Sequence, residues 1–167
     1  IFENKAPGYC YTRVGNPTVT AFENRITKLE GGMASIACAS GMAAIMNAIL
    51  NIVRSGDEIV SSASLYGGSI DLFRDIEEFG IKTRYVKNND WEAIEGAINE
   101  HTRLLFAETI GNPCLDVTDV ERLAEIAHAH KIPLILDNTT ATAYLFQGLK
   151  HGADIVAVSY THLTLPT

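Results

Sequence analysis

Ser40, Gly41 and Met42 form a candidate anion site at the start of an apolar stretch with helical spacing. The first N–H groups of a helix have no partner inside the helix, and together with the helix dipole they bind phosphate. Glycine at position 41 would let an anion approach the backbone closely. A plain turn glycine would also explain the pattern. The sequence contains no GxGxxG and no GxxxxGKS/T segment, which disfavours a dinucleotide or a nucleoside triphosphate.

Asp137 is a candidate partner for a cation, because it comes directly after the apolar run 133–136. A partly buried carboxylate needs a cationic or hydrogen-bonding partner. A protonated pyridine nitrogen would suit, and such a ring cation is what makes pyridoxal an electron sink. Asp137 could instead cap the turn that follows it. It could also bind magnesium, although no second acid lies nearby in the sequence.

Tyr66 and the pair Tyr11 and Arg13 are the remaining candidates. The glycines after Tyr66 would leave one face of its ring open to stack on a flat cofactor. Its hydroxyl could move protons if its pKa were lowered. Tyr11 and Arg13 could form a second phosphate clamp, since phenol and guanidinium both donate hydrogen bonds. The alternatives are a tyrosine packed on the core and an exposed surface pair.

The elements that must position these residues alternate along the chain with the periods of helices and strands. Asn16 and Pro17 are typical of a helix start, and Gly31 of a helix end. The pattern predicts an α/β fold, a mostly parallel sheet with helices on both faces. The predicted helices are 17–29, 42–53, 71–79, 90–99 and 119–130, and the predicted strands are 34–38, 58–60, 81–86, 104–107, 132–136 and 155–158.

The polar candidates follow the ends of these strands. In open parallel sheets, the ligand crevice lies beyond the carboxyl ends of the strands. We therefore expect one edge of the sheet to gather Ser40, Ser64, Tyr66, Asn112, Asp137 and Ser159.

Composition narrows the function classes. The chain has 167 residues, 47% of them apolar, and a net charge of −7 with no basic run, which argues against nucleic-acid binding. Its apolar runs are far short of the ~20 residues of a membrane span. Cys10, Cys38 and Cys114 are an odd number without CxxC spacing, which favours buried free thiols in a reducing, cytoplasmic compartment. The histidines do not suggest a metal site.

Taken together, these segments resemble the Cys/Met-metabolism family of pyridoxal-phosphate enzymes. The resemblance covers about residues 8 to 159 and implies the aspartate-aminotransferase-like fold (fold type I), with pyridoxal 5'-phosphate as cofactor. The segments that carry it are 11–18 (YTRVGNPT), 29–32 (LEGG), 39–45 (ASGMAAI), 65–68 (LYGG), 111–113 (GNP), 136–139 (LDNT) and 152–156 (GADIV).

The resemblance also implies a role for each candidate. Asp137 would pair with the ring nitrogen, and Tyr66 would stack on the ring and act as acid or base; these two are the expected catalytic residues. Asn112 would lie near the ring's 3-hydroxyl. Tyr11 and Arg13 would reach the phosphate of a neighbouring subunit. The other residues expected to bind the cofactor, mainly at its phosphate, are Ser40, Gly41, Met42, Thr139, Ser159 and Thr161.

Within the family, the sequence resembles most the O-acetylhomoserine sulfhydrylases. Residues 64–69 and 111–113 resemble theirs, whereas methionine γ-lyases typically have cysteine where Gly68 stands. The implied reaction is γ-replacement on a small amino-acid substrate, in an intact enzyme that is a homo-oligomer, a dimer of dimers. Cystathionine γ-synthase and γ-lyase activities of the same family are the alternatives.

The sequence departs from the family at one position that matters for chemistry. The family has serine, any residue, threonine and lysine after the last strand, and here His162 stands in the place of the lysine. Imidazole has no primary amine with which to attach the cofactor covalently. We expect an N-terminal arm (1–16), an incomplete cofactor domain (17–159), a non-native tail (160–167) and no C-terminal domain. Such a fragment would be inactive, or a non-catalytic binder of pyridoxal phosphate or another phosphate ligand.

Overall fold

A computed structural model describes residues 8, 9 and 11–159, which build around one parallel sheet. Its five strands have the order β2-β1-β3-β4-β5, and every neighbouring pair is parallel. The predicted parallel sheet is therefore confirmed. The strands are β1 (Glu58–Ser62), β2 (Lys82–Val86), β3 (Thr102–Glu108), β4 (Leu134–Asp137) and β5 (Ile155–Ala157).

Helices cover both faces of this sheet, because the strand side chains alternate between two apolar cores. Ile59 and Leu104 lie in one core and their neighbours Val60 and Leu105 in the other. The first core is closed by α2 and α3, the second by α4 and α5. The helices are α1 (Pro17–Glu30), α2 (Gly41–Ile52), α3 (Gly67–Glu77), α4 (Trp91–Ala97), α5 (Val120–Ala129) and α6 (Thr142–Leu145), with a short 3-10 helix at Gly148–His151.

Helix α1 begins and ends at the residues that the sequence predicts. The side chain of Asn16 accepts hydrogen bonds from the backbone of Thr18 at 2.9 Å and of Val19 at 3.3 Å. Pro17 takes the first helical position, where no N–H is needed. The helix ends at Gly31, whose φ of 71° lies in the left-handed region. Local capping chemistry thus sets both ends of α1.

The predicted strand over residues 34–38 is wrong, because this segment has no regular secondary structure. Hydrogen bonds tie it to α1 instead of to the sheet. The backbone N–H of Ala37 donates to Glu23 Oε1 at 2.8 Å, and Thr27 Oγ1 donates to Ser35 Oγ at 2.8 Å. Ser40 therefore follows an extended loop, and the sheet starts later, at β1.

Helix α3 begins four residues earlier than the predicted 71–79, at Gly67. The N–H groups of Ser69 and Ile70 donate to the carbonyl oxygen of Tyr66, at 2.9 and 3.2 Å. Tyr66 is therefore the N-cap residue of a helix. The glycines at 67 and 68 hide this helix start in the sequence pattern, since glycine weakens a helix. The sequence pattern also missed α6 and the 3-10 helix, which are too short to show a period.

Three smaller expectations concern thiols, metals and membranes. Cys38 and Cys114 are free thiols, but the expected burial is wrong for Cys114, which is exposed on the 111–117 loop. Cys10, Thr161 and His162 lie outside the described residues. Within the described ranges, His, Cys, Asp and Glu side chains form no group of three that could hold a metal ion. No helix there has the length and apolar character needed to cross a bilayer.

Candidate functional site

The N-terminus of α2 meets the residue that follows β5. Ser40 caps the helix, its Oγ accepting a hydrogen bond from the N–H of Ala43 at 3.1 Å. A Cβ atom on Gly41 would lie 2.5 Å from Ser159 Cβ and 3.0 Å from Ser159 Oγ. Only glycine fits here without a shift. Among the described residues, no acceptor takes the N–H groups of Gly41 and Met42. The Ser159 hydroxyl lies beside Gly41.

Thr139 connects this anion site to Asp137. Its Oγ1 accepts a hydrogen bond from the backbone N–H of Ser159 at 3.0 Å and donates to Asp137 Oδ1 at 2.6 Å. Its backbone N–H donates to the same Oδ1 at 2.9 Å. A hydrogen-bonded path therefore runs from Asp137 through Thr139 to Ser159, which contacts Gly41.

Asp137 is partly buried at the end of β4, and its burial raises the pKa of its carboxyl group despite the two bonds from Thr139. Within the described part of the chain, only Oδ1 accepts hydrogen bonds, which leaves Oδ2 without a donor. A carboxyl group in this state is stabilised as the anion by a cationic N–H donor.

Tyr66 folds its ring over Gly68. A Cβ atom on Gly68 would lie 2.5 Å from Cε1 of the Tyr66 ring, so any larger residue there would displace the ring. Tyr66 remains 52% exposed, which leaves ring surface open to a ligand. Its backbone N–H donates to Glu108 Oε1 at 2.6 Å.

Glu108 is the residue of this edge that the sequence analysis missed. It ends β3, is only 5% exposed, and pairs in register with Asp137 on β4. Burial raises the pKa of Glu108 to about 7, opposed by hydrogen bonds from the N–H groups of Tyr66 and Asn112. The available signal was a lone acid at the end of the otherwise apolar run Leu104–Ala107.

Asn112 lies in the loop that follows β3, and the peptide bond between Asn112 and Pro113 is cis. Its backbone N–H faces the Glu108 carboxyl group and lowers the pKa of that group. The adjacent Gly111 packs against Ser64 and Asp116, which hydrogen-bond to each other. Asn112 therefore reaches the same edge as Tyr66 through their shared partner Glu108.

Among the residues that the structure describes, no hydrogen bond or ion pair brings Tyr11 and Arg13 to this edge. The guanidinium carbon of Arg13 lies 5.6 Å from the centre of the Tyr11 ring. The carbonyl oxygen of Tyr11 accepts from Val14 and Gly15 in its own turn. Their position beside a phosphate stays a prediction, as does that of Thr161.

Gly41→Ala is expected to lower the free energy of unfolding by about 1–3 kcal/mol, the usual cost of forcing a methyl group into a packed site. The methyl group would meet Ser159 and push α2 from β5. The matched control is Gly96→Ala in α4, where a Cβ meets nothing within 4 Å. That variant should gain about 0.5–1 kcal/mol from reduced backbone entropy. Urea unfolding followed by circular dichroism measures both, and equal effects would contradict the packing described.

Comparison with known proteins identifies the family. Residues 1–163 match the sequence model of the Cys/Met metabolism PLP-dependent enzymes. The chain belongs to this family. Its sheet is that of the aspartate-aminotransferase-like fold type I, and pyridoxal phosphate is the family's cofactor.

Similar proteins include sulfhydrylases and homocysteine synthases. An O-acetyl-L-homoserine sulfhydrylase from Leptospira meyeri is 47% identical over 155 residues, which are 92% of this chain and 35% of that protein. A homocysteine synthase from Schizosaccharomyces pombe is 44% identical over 163 residues, 96% of this chain and 38% of that protein. The chain thus spans less than two fifths of these relatives.

Solved structures of the family superpose closely. An O-acetylhomoserine (thiol)-lyase structure from Campylobacter jejuni, described with a pyridoxyl-lysine phosphate, has a TM-score of 0.88 at 37% identity. The match covers 96% of this chain and 40% of that one. The O-acetylhomoserine sulfhydrylase of Wolinella succinogenes has a TM-score of 0.83 at 43% identity, covering 86% and 41%.

Proposed function

We propose that this chain forms the cofactor-binding part of a pyridoxal-phosphate enzyme that catalyses γ-replacement on O-acetylhomoserine. The observation that carries the proposal is the continuous path from Asp137 through Thr139 and Ser159 to Gly41. This path has a carboxylate at one end and free N–H donors at the other. Pyridoxal phosphate has complementary groups, a protonatable ring nitrogen and a phosphate.

The phosphate end fits the N-terminus of α2. A phosphate there would accept hydrogen bonds from the N–H groups of Gly41 and Met42 and from the Ser159 hydroxyl. The close approach of Gly41 to Ser159 supports this, because a Cβ at position 41 would collide with Ser159 and push the two apart. Ser40 would act indirectly, as the cap that fixes the start of the helix.

The ring end fits Asp137 and Tyr66. Oδ2 of Asp137 would accept a hydrogen bond from the protonated ring nitrogen, while Thr139 holds Oδ1. The open face of the Tyr66 ring would stack on the cofactor, with Asn112 near the 3-hydroxyl. When bound, pyridoxal phosphate supplies an electron sink for carbon acids of the amino-acid substrate. Asp137 would keep the ring nitrogen protonated, and the Tyr66 hydroxyl would hold or move a proton beside the substrate.

The sulfhydrylase subtype is supported by the relatives and by Gly68. The sulfhydrylase and synthase relatives above are 44–47% identical to this chain. An L-methionine γ-lyase from Fusobacterium nucleatum is 40% identical over 162 residues, so γ-elimination is the second candidate. In the full-length enzyme, γ-replacement would consume sulfide and retain the amino group, whereas elimination would release ammonia.

Association with a second copy is part of the proposal. Several large apolar side chains are exposed on this chain, which is typical of surfaces that are covered in an assembly. We propose that Tyr11 and Arg13 reach the phosphate of a neighbouring copy. The exposed set includes Val14, Met33, Ile36, Tyr144 and Leu145, each at least 70% exposed.

Binding of pyridoxine 5'-phosphate tests this function. The probe lacks the aldehyde, so it cannot label lysines on the surface, and calorimetry reports its affinity directly. We expect pyridoxine phosphate to bind at least about tenfold more tightly than pyridoxine or ATP, a difference of about 1.4 kcal/mol. Tighter binding of ATP, or equal binding of pyridoxine with and without phosphate, would contradict the proposal. The control is Glu121→Gln on α5, which removes an exposed ion pair with His151 and should leave the affinity unchanged.

A further inference from the structure

Glu108 lies at the centre of the carboxyl edge of the sheet. Its strand β3 runs between β1 and β4, so the loops after β1 and β3 lie next to each other. The Glu108 carboxyl group accepts a hydrogen bond from the backbone N–H of Tyr66, in the loop after β1, at 2.6 Å. The backbone N–H of Asn112, in the loop after β3, faces the same carboxyl group and lowers its pKa. Because Glu108 is only 5% exposed, water does not compete effectively with these N–H groups for its carboxyl group.

The two N–H groups that face Glu108 belong to residues from different parts of the chain. Tyr66 is the N-cap of α3 and has no side-chain cap bond of its own. Asn112 belongs to the loop 111–117, which packs against the first loop through Ser64 and Asp116. The carboxyl group therefore sets the distance between the ring of Tyr66 and the side chain of Asn112.

We infer that Glu108 is a positioning residue of the cofactor site, which clamps the Tyr66 and Asn112 backbones at one spacing. The effect of this clamp on cofactor affinity rests on the proposed function, whereas the clamp itself is a property of the chain alone. Glu108 acts through these two residues.

The charge of Glu108 makes the clamp sensitive to pH. The titratable groups of the described chain that face it are Asp137 on β4 and Asp116 in the 111–117 loop; both are acids and both oppose its ionisation. Burial raises the pKa of Glu108 to about 7. A carboxylate offers acceptors to both N–H groups, but a protonated carboxyl group uses one oxygen as a donor. The clamp is complete above this pKa and weakened below it.

Amide NMR of the chain labelled with ¹⁵N-tyrosine and ¹⁵N-asparagine tests the clamp without any cofactor. Between pH 5 and 9, the Tyr66 and Asn112 amides should shift with one shared midpoint, at least one pH unit above the usual 4.5 of a glutamate. Glu108→Gln should abolish the shared titration, and Glu121→Gln on α5 should leave it intact. Separate midpoints, a midpoint near 4.5, or a titration that persists in Glu108→Gln would overturn the inference.

Affinity for pyridoxine phosphate then tests the consequence for the site. Glu108→Gln should weaken binding at pH 8 about tenfold and remove the part of the pH dependence of binding whose midpoint is the pKa of Glu108. Should Glu108→Gln unfold, Glu108→Asp, which is one methylene too short to reach both amides, replaces it in the binding experiment. In the amide experiment, the Tyr66 and Asn112 amides of Glu108→Asp should no longer share one midpoint. Failure of the wild-type chain to bind the probe would overturn the proposed function while the amide titration still decides the clamp. Binding with the same affinity and pH profile in the variant would overturn the positioning role.

Discussion

Replacing His162 with lysine is expected to turn a chain that forms no covalent bond with pyridoxal phosphate at this position into one that does. Imidazole has no primary amine, and only a primary amine condenses with the cofactor's aldehyde in the way that borohydride can trap. Ser159, three residues earlier, already contacts Gly41 at the proposed phosphate site. Borohydride reduction followed by peptide mass spectrometry should find the pyridoxyl adduct on residue 162 at near-stoichiometric yield.

His151→Lys is the matched control for this gain. It makes the same change at a partly exposed histidine that pairs with Glu121 on α5. An adduct at 151 should stay at the background level of the surface lysines. Equal labelling at positions 151 and 162, or none at position 162, would show that the strand-end residues do not direct the cofactor to this segment.

Asp137→Asn is expected to weaken binding of pyridoxine phosphate by about 30-fold or more. Truncating one partner of a buried, hydrogen-bonded charge pair costs about 2–5 kcal/mol, and 2 kcal/mol already corresponds to about 30-fold. Asparagine retains Oδ1 for the two bonds from Thr139, so the loss should fall on the ring nitrogen alone. Calorimetry with pyridoxine phosphate and with inorganic phosphate separates the two ends: affinity for inorganic phosphate should stay unchanged.

Measuring the stability of Asp137→Asn tests whether unfolding causes its weaker binding of pyridoxine phosphate. Because the pKa of Asp137 is raised in the folded state, its contribution to stability is present at low pH and lost as the pH rises through that folded pKa. At pH 8 the carboxylate therefore disfavours the fold, and Asp137→Asn should be at least as stable as the wild type. Asp119→Asn, which keeps the cap of α5, is the matched Asp-to-Asn control. Unchanged affinity in Asp137→Asn would remove Asp137 from the site.

The elements that the sequence predicted correctly leave a clear signal in the pattern of residue types. Asn16 and Gly31 set the ends of α1 by capping, and β3 and β4 are apolar because both faces of the sheet are covered. The segment 34–38 was predicted wrongly because its partners, Glu23 and Thr27, are on α1 rather than on a strand. Periodicity cannot reveal such a tertiary hydrogen bond.

Some residues of the candidate site could be predicted from the sequence, and others could not. The convergence of Asp137 and Ser159 followed from strand order, because parallel strands end at one edge of a sheet. Glu108 was missed since its importance depends on two backbone N–H groups from other loops, and these leave no pattern in side-chain types. The predicted role of Tyr11 and Arg13 depends on a second copy of the chain.

A crystal structure of the chain with pyridoxine phosphate bound tests the central claim most directly. The account predicts one ligand with its phosphate at about 2.7–3.2 Å from the N–H groups of Gly41 and Met42, and its ring nitrogen at the same distance from Asp137 Oδ2. Its ring should lie against Tyr66. A ligand bound elsewhere, or one that reaches Gly41 while its ring nitrogen points away from Asp137, would contradict it.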